Sequence, residues 1–232
     1  MVNFDIYCRV ETVIDEIYTG KANLYNRRGL IVEMIIWING AFGSGKTTVA
    51  YELHKRLQNS FVYDPENIGY FLRKNTPPEC FKDDFQDITL WRKFNYQTLK
   101  MIYEKYSGTV IVPMTIVNKN YYNEIVQQLI EDNIQLEHFI LYANKETILK
   151  RLKTRSFRFI SRESFAVKSI DICLDSFDNH ITDIKIITDT MTIDQIVDSI
   201  ASKSNLTLLP DNRSNFKKAI DKLKILIEHI RS

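Results

Sequence analysis

The chain has 232 residues, 44% of them hydrophobic and 26% charged, with a net charge of +2 at neutral pH. That length allows one large domain, or a domain with appendages, around a single well-filled core. Near-balanced charge excludes a basic nucleic-acid stripe and an acidic disordered tail, and no apolar run reaches the length of a membrane span. Three cysteines, Cys8, Cys80 and Cys173, lack metal-ligand spacing, and their odd number argues against a disulfide framework. A reducing cytosol fits this usage, and the N-terminus shows no signal-peptide core.

Residues 1–33 are weakly patterned and read as an extension, either a real N-terminal helix or a start placed upstream of Met34. Met34-Ile-Ile-Trp-Ile38 is then a buried strand. It runs into Gly40-Ala41-Phe42-Gly43-Ser44-Gly45-Lys46-Thr47-Thr48, which holds three of the chain's seven glycines and matches G-x-x-x-x-G-K-[ST]. A helix from Lys46 to Leu57 follows, with Val49, Ala50, Leu53 and Leu57 on one face. Strand, loop and helix in that order form an anion site at a helix N-terminus. Glycines let successive N–H groups turn inward on phosphate oxygens. Lys46 reaches the β- and γ-phosphates, and the Thr47 hydroxyl is the expected Mg²⁺ ligand.

Downstream, Phe61-Val-Tyr63 is a short strand stopped by Asp64-Pro65. A helix runs from Ile88 to Tyr106, a strand from Thr109 to Val112, and a helix from Tyr121 to Asp132. His138 to Tyr142 is the fourth strand, Lys145 to Arg155 a helix, and Ser164 to Phe177 a further helical stretch. Ile184 to Ile187 is the fifth strand, and Thr192 N-caps a helix reaching Ser202. Strands alternating with helices give an α/β fold with a parallel sheet and right-handed crossovers, spanning 34–204. Asn205 to Asp211 is a linker, and Asn212 to Arg231 an amphipathic helix whose apolar positions run from Phe216 to Ile230. Two readings of this helix stand side by side: packing on the domain or a second subunit, or lying on a membrane surface.

The chemistry separates the classes of phosphate-loop protein. Asn144-Lys145 begins a guanine-binding motif, but Thr147 stands where that motif has aspartate, so Asn144 reads as an N-cap. The strand at Thr109–Val112 ends in Pro113-Met114-Thr115 without the carboxylate of a motor or transporter ATPase. A small-molecule kinase remains. Such an enzyme needs a base, and Asp64 lies at the ligand end of the second strand. An Asx turn before Pro65 is its alternative role, and Glu66 is the reserve base. Arg151 and Arg155, with Arg158 and Arg162, form a basic stretch read as a lid over the transferring phosphoryl group, or as a solvated helix face. Asp189, within Thr188-Asp189-Thr190, suits a loop at the adenine edge. Asp83, Asp84 and Asp87 with Arg92 lie where an acceptor pocket is built, or serve as helix caps.

Met34-Ile-Ile-Trp-Ile-Asn-Gly-Ala-Phe-Gly-Ser-Gly-Lys-Thr47, Val62-Tyr-Asp-Pro-Glu66, Lys82-Asp-Asp-Phe-Gln86, Leu90-Trp-Arg92, Ile111-Val-Pro-Met-Thr-Ile-Val117 and Leu152-Lys-Thr-Arg155 resemble the tunicamycin-resistance ATP-binding proteins. The similarity runs from Met34 to about Arg231. That family is kinase-like, similar to shikimate kinase and chloramphenicol phosphotransferase. The resemblance implies a P-loop NTPase fold with strand order 2-3-1-4-5, ATP and Mg²⁺ as cofactors, and protection from a nucleoside antibiotic. From the residues themselves, phosphate and nucleotide contacts are expected of the Gly40–Thr48 loop, Arg151 and Asp189. Catalysis falls to Lys46, Asp64 and Arg155, and acceptor contacts to Asp64, Glu66, Asp84, Arg92 and Thr115. The expected reaction is phosphorylation of a drug hydroxyl. A non-catalytic binder that sequesters the drug and a housekeeping metabolite kinase are the competing readings.

Overall fold

The computed structural model describes residues 33–155, 160–214, 217, 218, 220 and 221, all within the unit Glu33–Ser232. The expected extension, apart from its last residue, lies outside the described residues. So do positions 156–159 of the arginine-rich stretch and most of the terminal helix.

The strands are β1 (Met34–Asn39), β2 (Ser60–Val62), β3 (Thr109–Pro113), β4 (Leu136–Tyr142) and β5 (Ile184–Ile187). They form one sheet in the order β2-β3-β1-β4-β5, with every pair parallel. The order expected from the kinase resemblance is therefore the order found. All of β1 is buried, because helices cover both faces of its sheet. That is why its sequence is a continuous apolar run rather than an alternating one. Trp37, Trp91, Phe139 and Phe177 are the bulkiest fully buried side chains.

The helices are α1 (Lys46–Arg56), α2 (Glu66–Asn75), α3 (Thr89–Lys105), α4 (Lys119–Tyr122), α5 (Gln128–Glu131), α6 (Lys145–Arg155), α7 (Ile160–Asn179) and α8 (Ile193–Lys203). A π turn, Asn123–Gln127, joins α4 to α5, so the single helix expected there is wound more loosely in its middle. Asn144 caps α6, its Oδ1 accepting from the Thr147 N–H at 2.8 Å, as the sequence reading held. Thr192 caps α8 through a reciprocal capping box with Gln195.

Helix α2 is an element the sequence reading passed over. Asp64-Pro65 reads as the end of a strand, yet Asp-Pro-Glu is also a helix-opening signal. Gly69 weakens the helical pattern further. The structure explains it: a Cβ at Gly69 would lie 2.3 Å from the Phe85 ring, so only glycine lets α2 approach the short 3₁₀ turn Phe85–Asp87.

The segment after α8 returns to the core. The Leu209 N–H donates to the Arg56 carbonyl at 2.7 Å. Arg213 donates to Asp211 and to buried Glu52 on α1, and Lys218 lies 2.8 Å from Asp194 on α8. Lys55 of α1 meets Asp221 at 3.2 Å. Among the described residues no helix is long and apolar enough to cross a membrane.

Candidate nucleotide and acceptor site

β1 delivers the chain to the glycine loop at the centre of the sheet, where neighbouring strands diverge to either side. Gly40 has φ +145°, and a Cβ there would meet Ser44 Oγ at 2.6 Å and the Leu141 carbonyl at 2.7 Å. Gly43 and Gly45 also hold positive φ, +85° and +102°. This backbone is strained for any residue with a side chain. Gly45 is the N-cap of α1, with no side-chain cap bond and no acidic residue in the first turn. Helix N–H groups and the positive end of the dipole therefore face the loop. Ser44 Oγ is buried and, among the described residues, has no hydrogen-bond partner. A cradle only glycine can form, an uncapped helix start and an orphaned hydroxyl together fit a phosphate chain.

Lys46 is folded onto this loop, donating to the carbonyls of Gly40 at 2.8 Å and Ala41 at 3.0 Å. Thr47, in the first turn of α1, is half-buried and supplies a hard hydroxyl oxygen, the ligand type Mg²⁺ takes beside phosphates. Arg151 of α6 reaches the loop. Its guanidinium donates to Thr188 Oγ1 at 3.1 Å and the Thr188 carbonyl at 2.5 Å, and lies 3.5 Å from the Ser44 carbonyl. It thereby ties the phosphate loop to the segment after β5. In that segment Asp189 accepts from the Asn144 N–H at 3.1 Å. A bond from the Thr147 side chain, above all, holds its carboxyl below the usual range. Asp189 thus fastens the loop after β5 to the start of α6. Arg155 ends α6 and Arg162 lies on α7, while Arg158 is outside the described residues.

On the other side of the loop, Asp64 stands just past β2, half-buried. Its Oδ1 accepts from the Glu66 N–H at 3.0 Å, the Asx turn weighed against its role as a base. Glu66 accepts from Tyr70 at 3.1 Å. Asp84 caps the Phe85–Asp87 turn, accepting from the Gln86 N–H at 2.9 Å. Burial, above all, raises the Asp84 pKa, and the nearby charges of Asp87 and Glu66 add to that. Asp87 does not cap α3; it accepts from Tyr121 at 2.9 Å.

Two expected acceptor contacts instead serve the scaffold. Arg92 is 7% exposed. It bonds Glu124 at 2.6 Å, the Gln86 carbonyl and Thr89 Oγ1, and stacks on Tyr121. A buried guanidinium must satisfy its donors locally, so Arg92 fixes the turn that carries Asp84 rather than reaching toward a ligand. Thr115 is buried too, and its hydroxyl donates to the Gly40 carbonyl at 2.8 Å. It braces the phosphate loop from the strap after β3.

Sequence reasoning missed Asn39 and His138. Asn39 ends β1, directly before the loop, and His138 opens the apolar run of β4. The only signal of either was a polar residue in an otherwise apolar strand.

A parallel sheet in this order, with the glycine loop and uncapped helix after its central strand, defines a P-loop fold of the kinase-like class. Residues 35–178 match the family model AAA_33, an AAA domain. The tunicamycin resistance protein of Deinococcus radiodurans is 30% identical, over 77% of this chain and 99% of that one, with a TM-score of 0.64. The chain belongs to the AAA domain family and to the tunicamycin-resistance proteins. The fold is also that of a sugar kinase from Janibacter sp. HTCC2649, 15% identical over 75% of this chain and 95% of that one, with a TM-score of 0.52. Shikimate kinase from Bacteroides thetaiotaomicron shares it at 15% identity, 75% and 99% coverage and a TM-score of 0.50. No curated protein matches the chain by sequence.

Proposed function

We propose that this protein transfers the γ-phosphoryl group of ATP to a hydroxyl of tunicamycin or a related nucleoside-like compound, and so protects against it. One observation carries the reading. A phosphate cradle in a kinase-ordered sheet occurs in a chain that shares 30% identity with a tunicamycin resistance protein over 99% of that protein's length.

In this reading the loop N–H groups and the start of α1 hold the ATP phosphates, and Lys46 swings from the Gly40 and Ala41 carbonyls to the β- and γ-oxygens. Bound Mg²⁺, taking Thr47 Oγ1 as a ligand, would neutralise charge on those oxygens. The acceptor hydroxyl attacks the γ-phosphorus in line. As the new P–O bond forms, the bond to the β-phosphate oxygen breaks and ADP leaves with that electron pair. Asp64 takes the hydroxyl proton. Arg151 faces the charge spread over the transferring group, and Arg155 is the second cation assigned to it. Glu66 and Asp84 line the acceptor side.

The test is incubation of protein, Mg-ATP and tunicamycin with mass spectrometry of the drug. A product heavier by one phosphoryl group, with ADP formed in equal amount, is expected. Drug binding to saturation without ADP would overturn catalysis and leave sequestration. ADP formation with other hydroxyl metabolites but not the drug would make the protein a metabolite kinase.

A further inference from the structure

One side-chain amide at the end of β1 joins three segments of the site. Asn39 is 0% exposed. Its Oδ1 accepts from the Gly40 N–H at 2.7 Å and from the Ile116 N–H at 3.0 Å. Its Nδ2 donates to the Ile116 carbonyl at 2.7 Å. These backbone partners fix the amide's orientation, because its oxygen must face two N–H donors. The other Nδ2 hydrogen is then directed to His138 Nε2, 3.1 Å away. An imidazole nitrogen facing an N–H must be the unprotonated acceptor. The ring proton therefore lies on Nδ1, which donates to Asp183 Oδ2 at 2.7 Å. Tyr122 donates to the same oxygen at 2.8 Å and packs edge-on against the ring.

We propose that neutral His138 is a positioning residue for the phosphate loop, and that protonating it loosens Asn39, the first glycine of the loop and the grip on nucleotide. The proposal rests on the nucleotide reading of that loop. A proton on Nε2 would set N–H against N–H in a site closed to water. Asn39 cannot turn its oxygen to meet it without abandoning two backbone donors. Gly40 is where the disturbance reaches the ligand, since its carbonyl also receives Lys46 and Thr115.

The charged and titratable groups around the ring give the direction of the pH effect. Asp183, before β5, favours the imidazolium; Lys119 on α4 opposes it; Tyr122 on α4 bonds Asp183. From β1 the uncharged Asn39 faces the ring. Burial outweighs Asp183, so the His138 pKa falls below its ordinary value. Burial also pushes Asp183 upward, but its bonds to His138 and Tyr122 prevail and hold it ionised. The ring is thus neutral at neutral pH, and the loop loosens as the pH falls through the lowered value.

Calorimetric titration with Mg-ATP, from about pH 8 down to the lowest pH at which circular dichroism shows the protein folded, tests this. Protonation of ATP itself is common to every variant. Relative to His138→Gln, wild-type affinity should fall about tenfold on acidification, the size of one buried hydrogen bond. His138→Leu should bind about tenfold more weakly across the range, and His138→Gln, whose carbonyl can accept the Asn39 bond, should regain most of that loss. Asp183→Asn removes the anion that favours protonation, so the midpoint should move to lower pH. That half-exposed variant keeps the test valid if the ring variants fail to fold. Parallel profiles for wild type and His138→Gln, or an unmoved midpoint in Asp183→Asn, would overturn the proposal. Absence of ATP binding by the wild type at every pH would instead overturn the nucleotide reading beneath it.

Discussion

Lys46 shows how a single residue can be separated from the fold it sits on. Its half-buried side chain bonds two loop carbonyls and fills no position in the apolar core. Lys46→Ala should therefore leave the circular dichroism spectrum and melting curve close to wild type while removing calorimetric ATP binding. Wild-type affinity in a folded variant would show that the loop does not bind phosphate through this lysine. Asp64 permits a similar separation. Its Oδ1 accepts a backbone bond that an asparagine oxygen also accepts, so Asp64→Asn preserves the turn opening α2. The amide cannot take a proton from an attacking hydroxyl. ATP affinity should persist while turnover falls roughly 10²–10⁴-fold. Near-normal turnover would move the role of base to Glu66 or remove the need for one.

At the scale of elements, the proposed acceptor side depends on the contact between α2 and the Phe85–Asp87 turn. Gly69 presses its backbone against the Phe85 ring, while Arg73 stacks on that ring at 4.1 Å and Tyr70 meets it edge-on. Gly69→Ala must displace the ring or the helix, costing about 1–3 kcal/mol in urea denaturation despite alanine's better helix propensity. The same shift moves Asp84, next to Phe85, without touching the phosphate loop. The KM for the acceptor should then rise while ATP affinity holds. A stabilised Gly69→Ala protein would show that the helix propensity outweighs the contact. The segment after α8 is held by ion pairs, where Arg213 and Lys218 connect it to α1 and α8.

At the scale of the whole molecule, the phosphate loop joins the central strand to a helix packed on α8 and the sheet, so nucleotide binding stabilises the native state as a whole. ATP at a hundred times its Kd should add about 2.7 kcal/mol. For a chain of this size that is a rise in Tm of roughly 5–10 °C. Thermal denaturation with and without Mg-ATP measures it. The rise should vanish in Lys46→Ala, and a rise that survives there would point to a nucleotide site elsewhere.

The bounds of α6 and β5, the Thr192 cap and the loop were readable because they depend on neighbours in sequence: apolar runs, caps and glycine spacing. Strand order came from resemblance, since periodicity says nothing about which strands pair. Helix α2 was legible in part, in Asp64-Pro65-Glu66, but its glycine obscured it until the Phe85 ring supplied the reason. The roles of polar side chains were least legible. Arg92 and Thr115 are residue types that bind ligands, yet their burial commits them to Gln86, Glu124 and Gly40. Asn39 and His138 are 99 residues apart and meet because β1 and β4 pair in parallel. Local sequence determined where the chain extends, coils and turns. The tertiary structure alone decided where each buried donor and acceptor finds its partner, because a hydrogen bond forms with whatever the fold brings within reach and distance along the chain does not limit it.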